Sequence, residues 1–237
     1  MESVLTFPRT VFREDHEAYR NTVRRFIERE CKPMQAQWDK DGRVDRLTWL
    51  KAGREGLLCA AQSEDWGGGG GDFGHSAVQI EEMARSGISG LGFNLHSDIV
   101  APYIERLGTE AQKQRWLASC ARGETILAIA MSEPGAGSDV ASIKSRARKD
   151  GDDYVITGQK MWITNSLQAD WMCMLVNTGD GPAHKNKSLV MVPLRENGKP
   201  VKGFEVGQKI KKIGMHSSDT GLIYFDEVRV PQRYRIG

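Results

Sequence analysis

Cysteine is scarce: only Cys31, Cys59, Cys120 and Cys173 occur among 237 residues, and no two form a CxxC pair. That spacing indicates neither a zinc site nor a disulfide framework and fits a reducing cytosol. An excess charge of one sign is also missing, since 33 lysines and arginines stand against 31 aspartates and glutamates, a formal net charge of +2. So small a field concentrates neither nucleic acid nor an anionic membrane, and leaves room only for a small anionic ligand. No stretch approaches the roughly 20 apolar residues that span a bilayer. The amino terminus reads Met1, Glu2, Ser3 and soon reaches Arg13, Glu14 and Asp15. It lacks the apolar core of a secretion signal and the acid-poor character of a transit peptide, so a cytoplasmic location is expected.

What is present is an ordinary globular composition, 39% apolar and 27% charged, which excludes disordered and fibrous classes. The chain divides by period. Tyr19, Val23, Phe26, Ile27, Cys31 and Met34 recur at helical spacing, with Pro33 ending or kinking the helix. A second helix carries Ala77, Ile80, Met83 and Ala84; a third carries Ile99, Val100, Tyr103, Ile104 and Leu107 and stops at Gly108. Thr109 and Gln112 form a capping box for a fourth, which buries Trp116, Leu117 and Cys120 and ends at Gly123. Beyond it, seven alternating segments between residues 126 and 230 are separated by Gly, Asp, Asn and Pro turns. The expected fold class is α+β: a helical domain over residues 1–123, then an antiparallel β-barrel domain over 124–237.

The run Gly67 to Gly71 looks like a phosphate loop but lacks the Lys-Ser/Thr pair of a Walker motif. A plain turn is the preferred reading. More informative is Ala130 to Ser142, AMSEPGAGSDVAS, where a strand gives way to a loop of small residues. Such a loop lets backbone N–H groups approach an anionic or polar ring edge, and Ser132 and Ser138 add hydroxyls. In Gln159 to Asn165, QKMWITN, strand alternation puts Trp162 and Thr164 on one face and Met161 and Ile163 on the other. By itself that tryptophan reads as core, since large aromatics are mostly buried; beside the first stretch it reads as part of a working face.

These two stretches, in order and followed by Gly214 to Gly221 and Phe225 to Pro231, resemble the signatures of the FAD-dependent acyl-CoA dehydrogenases. Gly92 to Ser97 and Pro182 to His184 are most similar to the long-chain subgroup, and the resemblance covers essentially the whole chain. It implies the amino-terminal and middle domains, without the carboxyl-terminal helical bundle. It also implies FAD held by Ile129, Ala130, Met131, Ser132, Glu133, Gly135, Gly137 and Ser138, with Trp162, Ile163 and Thr164 at the flavin ring. Substrate contacts fall to Ser138, Ala183 and His184. No metal is implied, and the catalytic glutamate is expected beyond Gly237.

The reaction implied is α,β-dehydrogenation of an acyl-CoA with electrons passed to an electron-transfer flavoprotein, in a homotetramer or dimer at full length. An acyl-CoA oxidase or flavin monooxygenase of the same fold, and a non-catalytic binding relic, are the competing readings. Glu133 is not taken as the base, since its place in the pattern is to shape the loop beside Pro134, and Glu81 and Glu82 are read as solvated or loop-binding. His216 is read as a turn residue. Small residues at Gly87, Gly90 and Gly92 leave room for an acyl chain or serve a helix junction.

Overall fold

The computed structural model describes residues 9–237, so Met1, Glu2 and Ser3 of the amino-terminal reading lie outside the described residues. Helices come first: α1 (Glu14–Phe26), α2 (Gln35–Asp41), α3 (Arg46–Arg54), α4 (Phe73–Ser86), α5 (Ala101–Leu107) and α6 (Glu110–Ala121). The strands follow: β1 (Leu127–Ala130), β2 (Arg146–Asp150), β3 (Asp153–Thr164), β4 (Trp171–Asn177), β5 (Lys187–Pro193), β6 (Arg195–Glu196), β7 (Lys199–Pro200), β8 (Phe204–Lys209), β9 (Thr220–Pro231) and β10 (Arg235–Ile236). No described helix is long and apolar enough to cross a membrane.

The helical layer follows its apolar spacing with three departures. A π-helical turn at Ile27–Cys31 links α1 to the turn holding Pro33. Its wider winding keeps Ile27 and Cys31 buried but carries Met34, expected on the same face, outward to 37% exposure. Helices α2 and α3 are not part of the sequence expectation; α3 starts at Asp45, whose side chain accepts from Thr48 N–H at 2.9 Å. In α4 the buried positions are Ser76, Val78, Gln79 and Glu82, while Ile80 is 45% exposed.

Pairing explains that reversal, because a buried polar group is tolerated once its hydrogen bonds are made. Glu82 takes Arg24 Nε at 2.9 Å and Arg20 at 3.1 Å, which docks α4 on α1, and Gln79 Nε2 donates to Leu57 O at 2.7 Å. Glu82 is thus a helix-docking group rather than a solvated one. The Thr109–Gln112 capping box forms as expected, with Gln112 Oε1 accepting Thr109 N–H at 2.8 Å. The glycine run is a turn: the N–H groups of Gly67 to Gly71 donate to carbonyls of residues 59–64 at 2.8–3.0 Å, leaving none for a phosphate.

The expected closed antiparallel barrel is corrected to an open, mixed sheet. Its order is β10-β5-β4-β2-β3-β9-β8, with β1 also on β4, and the two outer strands do not pair. Strands β1 and β2 both run parallel to β4, β1 along Trp171 to Met174 and β2 at Asn177. Because β2 meets β4 only at that one position, the sheet is thinly joined there, and the long β3·β9 ribbon forms its other wing. Segments read as separate strands on either side of Gly158 are one strand, β3.

His96 and Asn165 tie the two layers together. His96, in the turn Leu95–Val100, is fully buried; its Nδ1 accepts Leu127 N–H and its Nε2 donates to Cys120 O, both at 3.1 Å. Asn165 Nδ2 donates to Leu127 O at 3.0 Å.

Candidate functional site

After Ala130 the chain leaves the sheet in a loop closed over Pro134 and Gly135. Glu133 N–H donates to Ala136 O at 2.8 Å, and Ala136 N–H returns to Glu133 O at 3.1 Å. A β-carbon placed on Gly135 or Gly137 meets no atom within 4 Å, so this rim faces open space. Ser138 is exposed, and Ile129, Met131 and Ser132 are half-buried. The rim therefore offers hydroxyls and backbone donors to anything laid over it.

Strand β3 passes beneath. Lys160 pairs with Ile223 and Ile163 with Gly221, so Met161 and Trp162 together face one residue, Leu222, in a bulge. Simple alternation is broken there: Lys160 and Ile163, three apart, both enter the core. Trp162 takes the left-handed backbone at φ 67° and stands 59% exposed. That conformation is costly for a bulky residue, about 1–3 kcal/mol, and places the indole outside the sheet face it would otherwise pack on. Thr164 is half-buried two residues on.

Loop and strand are joined at three consecutive points. Lys160 Nζ donates to Met131 O at 2.9 Å and lies 3.0 Å from Glu133 Oε1, and Met161 N–H donates to Ser132 O at 3.1 Å. Glu133 also accepts Lys144 N–H at 2.6 Å and Ser145 N–H at 3.0 Å, holding the far end of the loop. Burial pushes the Glu133 carboxyl up, but these donors outweigh it and keep it below the usual carboxylate range. Burial holds the Lys160 ammonium below the usual lysine range against the pull of Glu133. Glu133 is therefore committed to its own loop, its two oxygens taking three donors.

The third motif sets the flank. Asp219 is buried, accepts Leu167 N–H at 3.0 Å, and has its carboxyl pushed up by burial. Gly90 and Gly92 are junction glycines: a β-carbon on Gly90 would stand 2.3 Å from Ser217 Oγ, and one on Gly92 2.1 Å from Asn165 Oδ1. Close approach between the layers is the reason for glycine there, and Gly87 is the left-handed cap ending α4.

Among residues expected at the flavin, Ile129, Met131, Ser132, Gly135, Gly137, Ser138, Trp162 and Thr164 have surface around this loop and strand, whereas Ala130 and Ile163 are buried and offer only backbone. Ala183 and His184 are exposed in the turn between β4 and β5, where Lys187 Nζ donates to Ala183 O at 2.6 Å. His216 is exposed in the turn before β9. Lys160 and Asn165 lie inside the second motif, yet nothing local marked them for burial. A cavity of about 220 Å³ lies on the Glu133, Ser142, Lys144 and Gln159 side of the loop, and Trp162 is not in its wall.

Among the described residues, one cluster of metal-ligand type, Asp15, His16 and His75, lies elsewhere. Its chemistry is that of helix capping: His16 Nδ1 accepts Arg13 N–H and His75 Nδ1 accepts Asp72 N–H, both at 3.1 Å. A ring whose second nitrogen must accept a backbone N–H is a poor metal ligand, and the Arg13 guanidinium, paired to both Asp15 and Asp72 at 2.8 Å, opposes a cation.

The sequence profile "Acyl-CoA dehydrogenase, N-terminal domain" matches residues 13–124, and "Acyl-CoA dehydrogenase, middle domain" matches residues 128–228. Long-chain specific acyl-CoA dehydrogenase of Sus scrofa mitochondria is 42% identical over 232 residues, 97% of this chain and 53% of that protein. Among solved structures, acyl-CoA dehydrogenase from Geobacillus kaustophilus superposes with a TM-score of 0.91 at 42% identity, covering 97% of this chain and 60% of that one. A glutaryl-CoA dehydrogenase from Mycobacterium smegmatis in complex with FADH2 gives 0.84 at 27% identity, covering 94% and 55%. The chain spans about half the length of the curated relatives it matches. It belongs to the acyl-CoA dehydrogenase family, of which it carries the amino-terminal and middle domains.

Proposed function

We propose that this chain forms the flavin- and thioester-binding front of an FAD-dependent acyl-CoA dehydrogenase serving fatty acid β-oxidation or related acyl-CoA metabolism. The observation that carries this reading is the Trp162 indole, turned outward at a left-handed bulge beside the Ser132 loop. An exposed aromatic face next to a rim of glycines and hydroxyls suits a planar ring with heteroatoms along its edge. FAD, when bound, supplies the acceptor for the hydride leaving the substrate's β-carbon.

This chain's residues bind and orient. Trp162 covers the ring and excludes water from that side, while Ser132, Thr164 and the loop from Ile129 to Ser138 supply hydrogen bonds. Ser138, with Ala183 and His184 on the β4–β5 turn, holds the thioester's coenzyme arm. Glu133 is not the base, since its oxygens take Lys144, Ser145 and Lys160. The α-proton is instead assigned to a glutamate beyond Gly237, electrons pass to an electron-transfer flavoprotein, and the full-length protein works as a homotetramer or dimer. The 237-residue chain alone is accordingly expected to show no steady acyl-CoA oxidation.

The test is the visible spectrum of the purified full-length protein, followed while acyl-CoAs of graded chain length are added without oxygen. Flavin bands that bleach with one range of chain lengths are expected and would name the substrate class. A protein without flavin bands, or bands that no acyl-CoA bleaches, refutes the reading.

A further inference from the structure

A lysine with no exposed surface is an expensive choice for a strand interior, because an apolar side chain of similar length would pack there without desolvating a charge. Swapping a buried ion pair for apolar groups is often neutral or stabilising, so Lys160 and Glu133 call for an explanation beyond fold stability. Their contacts supply one. Lys160 reaches Met131 O and Glu133, the two residues flanking Ser132, while the adjacent Met161 N–H holds Ser132 O itself. The next residue along the strand is Trp162, which the bulge turns outward. The ammonium thus sits where the loop and the bulged strand meet, and any loosening there changes the spacing between the Ser132 rim and the Trp162 face.

We infer that Lys160, through its buried contacts with Met131 O and Glu133, is a positioning residue that sets the register between the Ser132 loop and Trp162 and thereby the fit of the flavin ring. The inference rests on the flavin reading above. Lys160 touches neither cofactor nor substrate in it; the residue acts through the loop. Glu133 completes the device by clamping Lys144 and Ser145, so that both ends of the loop close on one ion pair.

Two measurements on Lys160→Met, made in the full-length protein, separate this role from simple packing. In flavin-free protein, hydrogen exchange at the Met161 amide is expected to speed up by about tenfold or more, the change expected for one weakened buried hydrogen bond. In FAD titrations the dissociation constant is expected to rise by about tenfold or more, with a shifted flavin potential and blurred fine structure of the visible band. Unchanged Met161 exchange together with unchanged FAD affinity and spectrum overturns the positioning role.

If wild-type protein binds no FAD, the flavin reading fails and this inference with it; faster Met161 exchange would then mark Lys160 as a loop tether only. Should Lys160→Met fail to fold because Glu133 is left uncompensated, the double variant with Glu133→Gln removes both charges. That variant is expected to fold and to show the same loss of FAD affinity, and wild-type affinity in it overturns the proposal.

Discussion

His96 offers a measurement of how tightly the helical layer is fastened to the sheet. The ring has no exposed surface and bridges the end of α6, at Cys120 O, to the start of β1, at Leu127 N–H. Burial pushes its pKa down to about 4, against the weaker opposing pull of the Cys120 carbonyl. Released by unfolding it returns to an ordinary value of about 6.5. The unfolded chain therefore binds the extra proton between those values, and folded stability from this group is full above about pH 6.5 and lost as pH falls toward 4. The loss amounts to about 2 kcal/mol between about pH 8 and pH 5. In His96→Gln the Leu127 N–H loses its acceptor, costing about 1–3 kcal/mol at the higher pH, and the titrating group is gone. Urea denaturation of both proteins across this range, followed by far-ultraviolet circular dichroism, should show their stability gap shrinking by about 2 kcal/mol on acidification. Carboxylates contribute to both curves alike and cancel in the difference. A gap that stays constant with pH refutes the reasoning.

Three further outcomes are expected. Trp162→Ala should leave thermal stability within about 0.5 kcal/mol of wild type, the range typical of surface changes. The same variant should weaken FAD binding by about tenfold or more, and equal FAD affinity would remove the indole from the site. Gly92→Ala should destabilise by about 1–3 kcal/mol in a denaturant melt, because the added methyl meets the Asn165 carboxamide in a packed junction. Glu82→Gln should weaken the α1–α4 contact near neutral pH; burial raises the Glu82 pKa, but the bonds from Arg24 and Arg20 prevail and hold it below the usual range. Its contribution is therefore present above an unfolded value of about 4.3 and fades as pH falls through the lower folded one, so the wild-type and variant melting curves should converge in acid.

The class of fold was legible because period is a property of the sequence: helical spacing ends near Gly123, and alternation begins just beyond. Sheet closure was not, since strand pattern reports which face is buried and says nothing of which edge meets which. The buried face of α4 was misread for a related reason. Gln79 and Glu82 are polar letters made compatible with burial by partners 22 and 58 residues away, so only the tertiary pairing reveals them. At the candidate site, the motifs led to the loop and to Trp162, but alternation would have kept Lys160 on the same face as that indole. The bulge between them carries no glycine on β3 to announce it, and the residue that takes the left-handed backbone is the tryptophan itself. Gly90 and Gly92 were visible as small, and only the contact with Ser217 and Asn165 says what the smallness is for.

The run from Gly67 to Gly71 has the composition of a flexible tether and the behaviour of a clasp. A β-carbon on Gly68 would stand 2.4 Å from Gln62 O, and one on Gly69 or Gly71 within 2.8 Å of Ala60 O. Glycine serves there for its thinness, letting two passes of chain lie against each other. Lengthening the run with more glycines would therefore peel that doubled strip apart and open it to proteases, where a true linker would simply tolerate the extra slack.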